Sequence, residues 1–154
     1  MGLTLPWPLV RQALIRSLRA NLPLAAALAG DWSESESPQG TAYPQGVISL
    51  VPSPGIYDWT GVVWDLYADV VVFAYDKGQA DSLDQLAFTT LQDARLAVTG
   101  LTSLTCRRIG IISFPAVDDK GQSVYESGGT FHIRVSQSNP TLQTLTVTGD
   151  STIA

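Results

Sequence analysis

Two pairs of aspartates are the first candidates for chemistry in this sequence. Asp65 and Asp69 alternate with apolar residues and therefore lie on one face of a predicted strand. Four residues at about 3.3 Å each separate them by roughly 13 Å, more than the approximately 9.5 Å upper limit for an inverting glycosidase pair. Asp118 and Asp119 lack the Asp-x-Asp-x-Asp-Gly spacing of a calcium loop. The first pair is therefore predicted to face solvent and the second to form a turn.

The single histidine and the single cysteine are the next candidates for chemistry. His132 follows Ser127, but the sequence Glu126-Ser127-Gly128-Gly129 is not the Gly-x-Ser-x-Gly turn of a hydrolase. One Cys and one His cannot form a zinc site, and neither a dinucleotide-binding fingerprint nor a P-loop is present. We interpret Cys106 as a buried apolar residue without a disulfide partner. We therefore expect no enzyme, cofactor or metal; a small enzyme or ligand-binding module is a minor alternative.

The composition limits the classes of partner. Only 15% of the 154 residues are charged, against roughly 25% in an average soluble protein, which hints that partners cover part of the surface. A net charge of -5 argues against non-specific DNA binding, because that requires a basic surface. No apolar run approaches the roughly 18 residues of a membrane span. Arginines interrupt the apolar N-terminus, so we expect no signal peptide and synthesis in the cytoplasm.

The clearest structural pattern begins at Gly61 and predicts a long central strand. One face is wholly apolar, formed by Trp64, Leu66, Ala68, Val70, Val72 and Ala74. The opposite face begins polar at Asp65 and Asp69 and turns apolar at Val71, Phe73 and Tyr75. Only the far end of the strand is therefore expected to be covered on both sides.

A helix is predicted after this strand, with Asp81 as its N-cap and Asp84 adding favourable charge to its first turn. Its core stripe is expected to contain Leu83, Leu86, Ala87, Thr90, Leu91, Ala94, Ala97 and Val98. Phe88, Gln92 and Leu96 would lie on the opposite face, where polar residues are expected. We interpret Phe88 and Leu96, together with the apolar end of the second strand face, as contacts with another subunit.

The remaining elements follow from periodicity and turn residues. Helices are predicted at 9–20 and 22–29, strands at 47–51, 104–114 and 130–136, and an exposed loop, mobile until bound, at 31–44. This loop carries Asp31, Glu34 and Glu36. A bulge is expected near Gly110, and Pro115 is expected to end its strand. Tyr57 and Trp59 form either local core or an exposed aromatic patch, and the tail 137–154 is either an added strand or disordered. The length predicts one domain.

The order of these elements is similar to that of a known family. A helix with Leu14, Leu18 and Leu24 precedes a Gly30-Asp31 loop, strands at 46–50 and 70–74, a Leu-rich helix, the turn Asp118-Asp119-Lys120-Gly121 and a strand at 131–135. Over residues 9–136 this layout resembles the small tail terminator, or tail completion, proteins of long-tailed bacteriophages. The motifs are hydrophobic spacing and an acidic-Gly turn.

The resemblance implies an α+β domain, with an N-terminal and a central helix packed on a mostly antiparallel mixed sheet. It also implies a virion protein, assembled in the host cytoplasm, whose hexameric ring caps the tail tube and presents a surface to the head connector. Its partners would be further copies of itself, the tail tube protein and a connector or neck protein. DNA would pass through the lumen without specific binding, and no membrane would be involved. The loop 31–44 would become ordered on the tube or the connector. Another neck or head-to-tail joining protein, and a non-phage binding module, are the alternatives.

Overall fold

A computed structural model describes residues 5–53, 55–58 and 61–138. Its helices are α1 (Trp7–Ala20), α2 (Leu22–Ala27) and α3 (Lys77–Leu91). Its strands are β1 (Trp32–Glu34), β2 (Gln45–Pro52), β3 (Ile56–Asp58), β4 (Gly61–Ala74), β5 (Thr102–Val117) and β6 (Ser123–Ser138). In this part of the chain, no helix is long and apolar enough to span a membrane.

The strands form one six-stranded sheet in the order β1-β2-β4-β6-β5, with β3 paired to the first residues of β4. Only β1 and β2 run parallel; every other pair is antiparallel. The α+β class with a mostly antiparallel mixed sheet is confirmed, as is the central position of β4. The turn between β5 and β6 forms because the Asp118 carboxylate accepts the N–H groups of Lys120 and Gln122.

The hydrophobic core lies between one face of the sheet and the helices. All six predicted residues of the apolar β4 face are buried. All except Ala74 belong to one cluster that also contains Val10, Leu14 and Leu18 of α1, Leu83, Ala87 and Leu91 of α3, and Phe131, Ile133 and Val135 of β6. The apolar stripes of the helices therefore pack against the apolar face of the sheet, as the helical and strand periodicities predict.

The predicted bounds of the central helix are wrong at both ends. Asp76, not Asp81, caps α3, because its carboxylate accepts the N–H of Gln79 at 2.9 Å. The helix ends at Leu91 because Gln92 is extended and the N–H of Asp93 donates to the Cys106 carbonyl of β5, at 2.8 Å. The residues that follow, including Ala94, Ala97 and Val98, are therefore not helical.

The predicted loop 31–44 is wrong where it begins, because Trp32–Glu34 form β1, paired with residues 46–48 of β2. Trp32 is buried, and a Cβ on Gly46 would overlap its ring, so the glycine makes room for this pairing. Pro115 does not end β5, since this strand lies at the edge of the sheet, where a missing N–H can be tolerated. The bulge near Gly110 is confirmed by a shift in register between Arg108 and Gly110.

Three predictions concern residues that cannot be compared with the structure. The side chain of Tyr57, the residue Trp59 and the tail beyond Ser138 lie outside the described residues.

Candidate interaction surface

A partly buried ion pair joins α3 to β5 on the helix side of the sheet. The guanidinium of Arg108 donates to both carboxylate oxygens of Asp84, with one distance of 3.0 Å. It also lies over the rings of Phe88 and Phe131, 5.0 and 5.1 Å from their centroids. This pair was not predicted from the sequence, although two consecutive arginines in a predicted strand indicate that one of them points inward.

The predicted exposed face of the helix is wrong in its geometry. Phe88 is half-buried beneath Arg108, and the side chain of Gln92 accepts the Arg108 backbone N–H at 2.9 Å. Leu96 lies beyond the end of α3, is only 4% exposed and belongs to the core. These three side chains therefore make contacts within the chain, and contact of Phe88 or Gln92 with another subunit stays a prediction.

A charged cluster occupies the opposite, open face of the sheet. Asp65 accepts hydrogen bonds from Arg134 at 2.9 and 3.3 Å, and Nε2 of His132 lies 2.8 Å from the same carboxylate. The hydrogen bond from Arg134 holds the pKa of Asp65 below its usual range, with a smaller contribution from His132. The His132 ring also stacks on Tyr67, at 5.1 Å between centroids. Asp65 thus has partners on the neighbouring strand.

This cluster lacks the arrangement of a hydrolytic site. Ser127 and His132 are five residues apart on β6, so their side chains lie on opposite faces. The Ser127 hydroxyl donates to Asp81 on the helix side, at 2.9 Å. Asp69 accepts the hydroxyl of Thr130 at 2.6 Å. Burial raises the pKa of the Cys106 thiol to about 12, which leaves it protonated at neutral pH. Among the described residues, no group of His, Cys, Asp and Glu could hold a metal ion.

An open groove of about 310 Å³ lies on the same face as the charged cluster, between β2 and the β5–β6 hairpin. Val71 is buried beneath it, Phe73 is half-buried and Tyr75, just past the end of β4, is 43% exposed. The Tyr75 hydroxyl donates to Asp118 at 2.9 Å. Glu126 lines the groove, and burial, followed by the charge of Asp69, raises its pKa. The predicted apolar end of this face is therefore present, and its contact with a neighbouring subunit stays a prediction.

Two of the three acidic residues near β1 are tied to α1. Arg19 pairs with Asp31 at 2.8 Å and Arg11 pairs with Glu34 at 3.2 Å. Glu36 is exposed and has no ion-pair partner among the described residues. Ordering of this loop on a partner protein stays a prediction, with Glu36 as its unpaired charge.

An exposed apolar surface lies on β5 at the edge of the sheet. Its exposed members are Leu104, Ile109, Ile111, Phe114 and Val117, and Ile111 is 83% exposed. These residues were not predicted from the sequence, because nothing in the local pattern identifies which strand will lie at an edge. Apolar residues grouped in this way are typical of a protein–protein contact.

Comparison with known proteins gives a likeness of fold. No family model matches the chain, and no curated protein matches it. A chain in the solved structure "Virion of native gene transfer agent (GTA) particle" is similar, with a TM-score of 0.58 and 19% identity. The match covers 84% of this chain and 96% of that chain. At this identity the likeness shows a shared fold.

Proposed function

We propose that this chain is a virion structural protein of a bacteriophage, and that its copies form a ring which caps the tail tube. The ring would then present the surface to which the head connector attaches. The single observation that carries the proposal is the fold shared with a chain of a gene transfer agent virion, over nearly the whole of that chain. The resemblance of the element order to tail terminators supports the more specific position at the end of the tail.

The contacts on the open face support a role in binding. Asp65 is neutralised by Arg134 and Asp69 is hydrogen-bonded to Thr130, so these carboxylates are engaged within the fold. The exposed apolar residues of β5, in contrast, are not buried by any of the described residues. A binding protein needs this kind of surface, whereas an enzyme needs converging polar groups in a pocket.

A ring requires a head-to-tail contact that repeats until it closes. Each copy must therefore carry two different surfaces on opposite sides, one for each neighbour. Two further surfaces would meet the tail tube protein and the connector or neck protein. DNA would pass through the lumen without specific binding, which agrees with the net charge of -5.

Deletion of the gene from its parent particle tests the proposal, with tail length and head attachment measured by electron microscopy. Overlong or headless tails that the wild-type gene restores are expected for a protein that acts at the end of the tube. Tails of normal length without heads would instead assign the protein to head-to-tail joining in the neck. Intact infectious particles would overturn a structural role in the virion and favour a binding module outside it.

A further inference from the structure

The outer edge of β5 is covered along its first half. The N–H of Asp93 donates to the Cys106 carbonyl at 2.8 Å, and the Arg108 N–H donates to the side chain of Gln92 at 2.9 Å. Nearby, the N–H of Leu96 donates to Ser103 Oγ at 3.1 Å. The segment that follows α3 therefore covers this part of the edge, where it satisfies the Cys106 carbonyl and the Arg108 N–H.

The second half of the same edge is bare: within the described residues, its outward backbone N–H and C=O groups are unpaired. Backbone groups alternate between the two sides of an antiparallel strand. The Asp118 N–H donates to the Gln122 carbonyl of the hairpin, and the register with β6 is unbroken from 110 to 117, so the even-numbered residues of this stretch face β6. The groups of Ile111 and Ser113 therefore point outward. These outward groups have no hydrogen-bond partner within the described part of the chain. Pro115, which has no N–H, limits the bare stretch to 109–114. This stretch is uncharged and contains the exposed Ile109 and Ile111.

The opposite edge of the sheet has a bare stretch of similar kind. β1 pairs only with residues 46–48 of β2, and the Ser35 N–H donates to the Ile48 carbonyl. By the same alternation, the N–H and C=O groups of Leu50 point outward beyond β1. Pro52 limits this stretch to 49–52, which is also uncharged and carries the 61% exposed Val51.

The two bare stretches lie on opposite sides of the molecule because they occupy the two ends of the strand order. Their flanks carry opposite unpaired charges. Arg95, in the segment that covers β5, and Glu36, beside the end of β1, both lack ion-pair partners among the described residues. A strand edge with unpaired backbone groups is a template for another strand.

We infer that a second copy of this chain places the 49–52 edge of its β2 against the 109–114 edge of β5, so that the sheet continues head to tail from one copy to the next. The inference rests on the ring of the proposed function and names its two contact surfaces. It uses both bare edges. With the two strands parallel, it brings Glu36 of one copy, at the start of the 49–52 stretch, towards Arg95 of the other, which lies before the 109–114 stretch. A two-fold contact between two β5 edges would leave the β2 edge unused.

Site-directed cross-linking of the purified full chain tests the contact. Val51→Cys and Ile111→Cys are prepared as separate proteins, mixed, and treated with a short bismaleimide, which tolerates a register shift of one or two residues. The native Cys106 is buried and is not expected to react. The mixture is expected to give a covalent dimer of twice the 16.5 kDa chain mass. A mixture of Ile111→Cys with Leu22→Cys, an exposed position on α2, is the matched control and is expected to stay monomeric.

A proline substitution distinguishes strand pairing from non-specific hydrophobic association. Ser113→Pro removes an outward N–H and no hydrogen bond of the β5–β6 ladder, so loss of the Val51–Ile111 cross-link is expected at an unchanged unfolding temperature. Ser113→Ala keeps the N–H and is expected to retain the cross-link. Equal cross-linking in the two variants would overturn the edge pairing.

Two other outcomes would also overturn the inference, and they leave different consequences for the ring. Cross-linking of Ile111→Cys to itself would show a two-fold contact, which contradicts a head-to-tail ring as well. Absence of the Val51–Ile111 cross-link would reject these edges alone. In that case light scattering that gives the mass of a closed ring, or a tail defect on gene deletion, would still support the proposed function.

Discussion

The two faces of the sheet are built from alternate residues of the same strands, yet they are held by different interactions. On β6, Phe131, Ile133 and Val135 point to the helices and are fully buried. The residues between them, His132 and Arg134, point to the open face and pair with Asp65. Burial of apolar surface holds the first face, whereas partly exposed hydrogen bonds and ion pairs hold the second around Asp65.

This difference indicates which parts of the molecule can change without loss of the fold. A fully buried side chain contributes roughly 1.5–3 kcal/mol by removal from water, and exposed ion pairs contribute about 0–1 kcal/mol. The helix side therefore contributes most of the stability, and substitutions on the open face and at the bare edges are expected to leave the fold intact. Four sets of substitutions test this contrast.

The largest difference is expected between two neighbouring residues of β6. Phe131→Ala creates a cavity beneath α3 and is expected to lower the free energy of unfolding by about 3–5 kcal/mol. His132→Ala on the open face is expected to cost no more than about 1 kcal/mol. Chemical denaturation of both variants measures the difference. Similar losses would mean that the open face contributes to stability as much as the core does.

The ion pair on the helix side is expected to rank second. Asp84→Asn leaves the guanidinium of Arg108 partly buried without its carboxylate, at a cost on the order of 3 kcal/mol. Asp93→Asn removes the partner of the exposed Arg107 and is the matched control, with an expected cost of about 0–1 kcal/mol. The double variant Asp84→Asn, Arg108→Met is expected to recover part of the loss. No recovery in equilibrium unfolding would show that Arg108 stabilises the fold through its contacts with Phe88 and Phe131.

The sequence predicted the features that depend on local periodicity. The buried face of β4, the inward residues of β6 and the bulge near Gly110 follow from alternation and from a break in it. The α+β architecture, with helices packed on a mostly antiparallel sheet, came from the resemblance to a family. These predictions were confirmed because they depend on side-chain directions that repeat regularly along a single strand or helix.

Features that depend on distant partners could not be predicted. α3 ends where Asp93 bonds to Cys106 of β5, and β1 exists because Trp32 packs over Gly46. Helical periodicity alone continues through Leu96 and therefore predicts an exposed position for that residue. The bare edge at Ile111 depends on the order of strands in the sheet, which the sequence does not reveal.

A smaller effect, dependent on pH, is expected at the centre of the open face. The hydrogen bond from Arg134 lowers the pKa of Asp65, so the ionised form is favoured in the folded state. Its stabilising contribution is therefore present above the unfolded pKa of about 3.9 and is lost as the pH falls through the lower folded value. Asp65→Asn is expected to cost about 1 kcal/mol at neutral pH. Thermal unfolding followed from pH 7 into acid should show the two proteins converge, and a constant difference would contradict the ionic explanation.

The smallest effect is expected for Glu126 in the groove. Ionisation of this carboxylate destabilises the folded state, whereas ionisation of Asp65 stabilises it. Burial, with the charge of Asp69 second, raises the pKa of Glu126, so the folded state disfavours its ionised form. The favourable contribution of the protonated form is complete below the unfolded pKa of about 4.3 and is lost as the pH rises through the folded value. Glu126→Gln is therefore expected to raise the unfolding temperature slightly at pH 7 and to leave it unchanged near pH 4. Glu36→Gln, at an exposed position, is the control and is expected to change neither value. A lower unfolding temperature for Glu126→Gln at pH 7 would mean that the carboxylate stabilises the folded groove. The groove would then contribute to the stability of the domain, and would not be a surface left free for a partner.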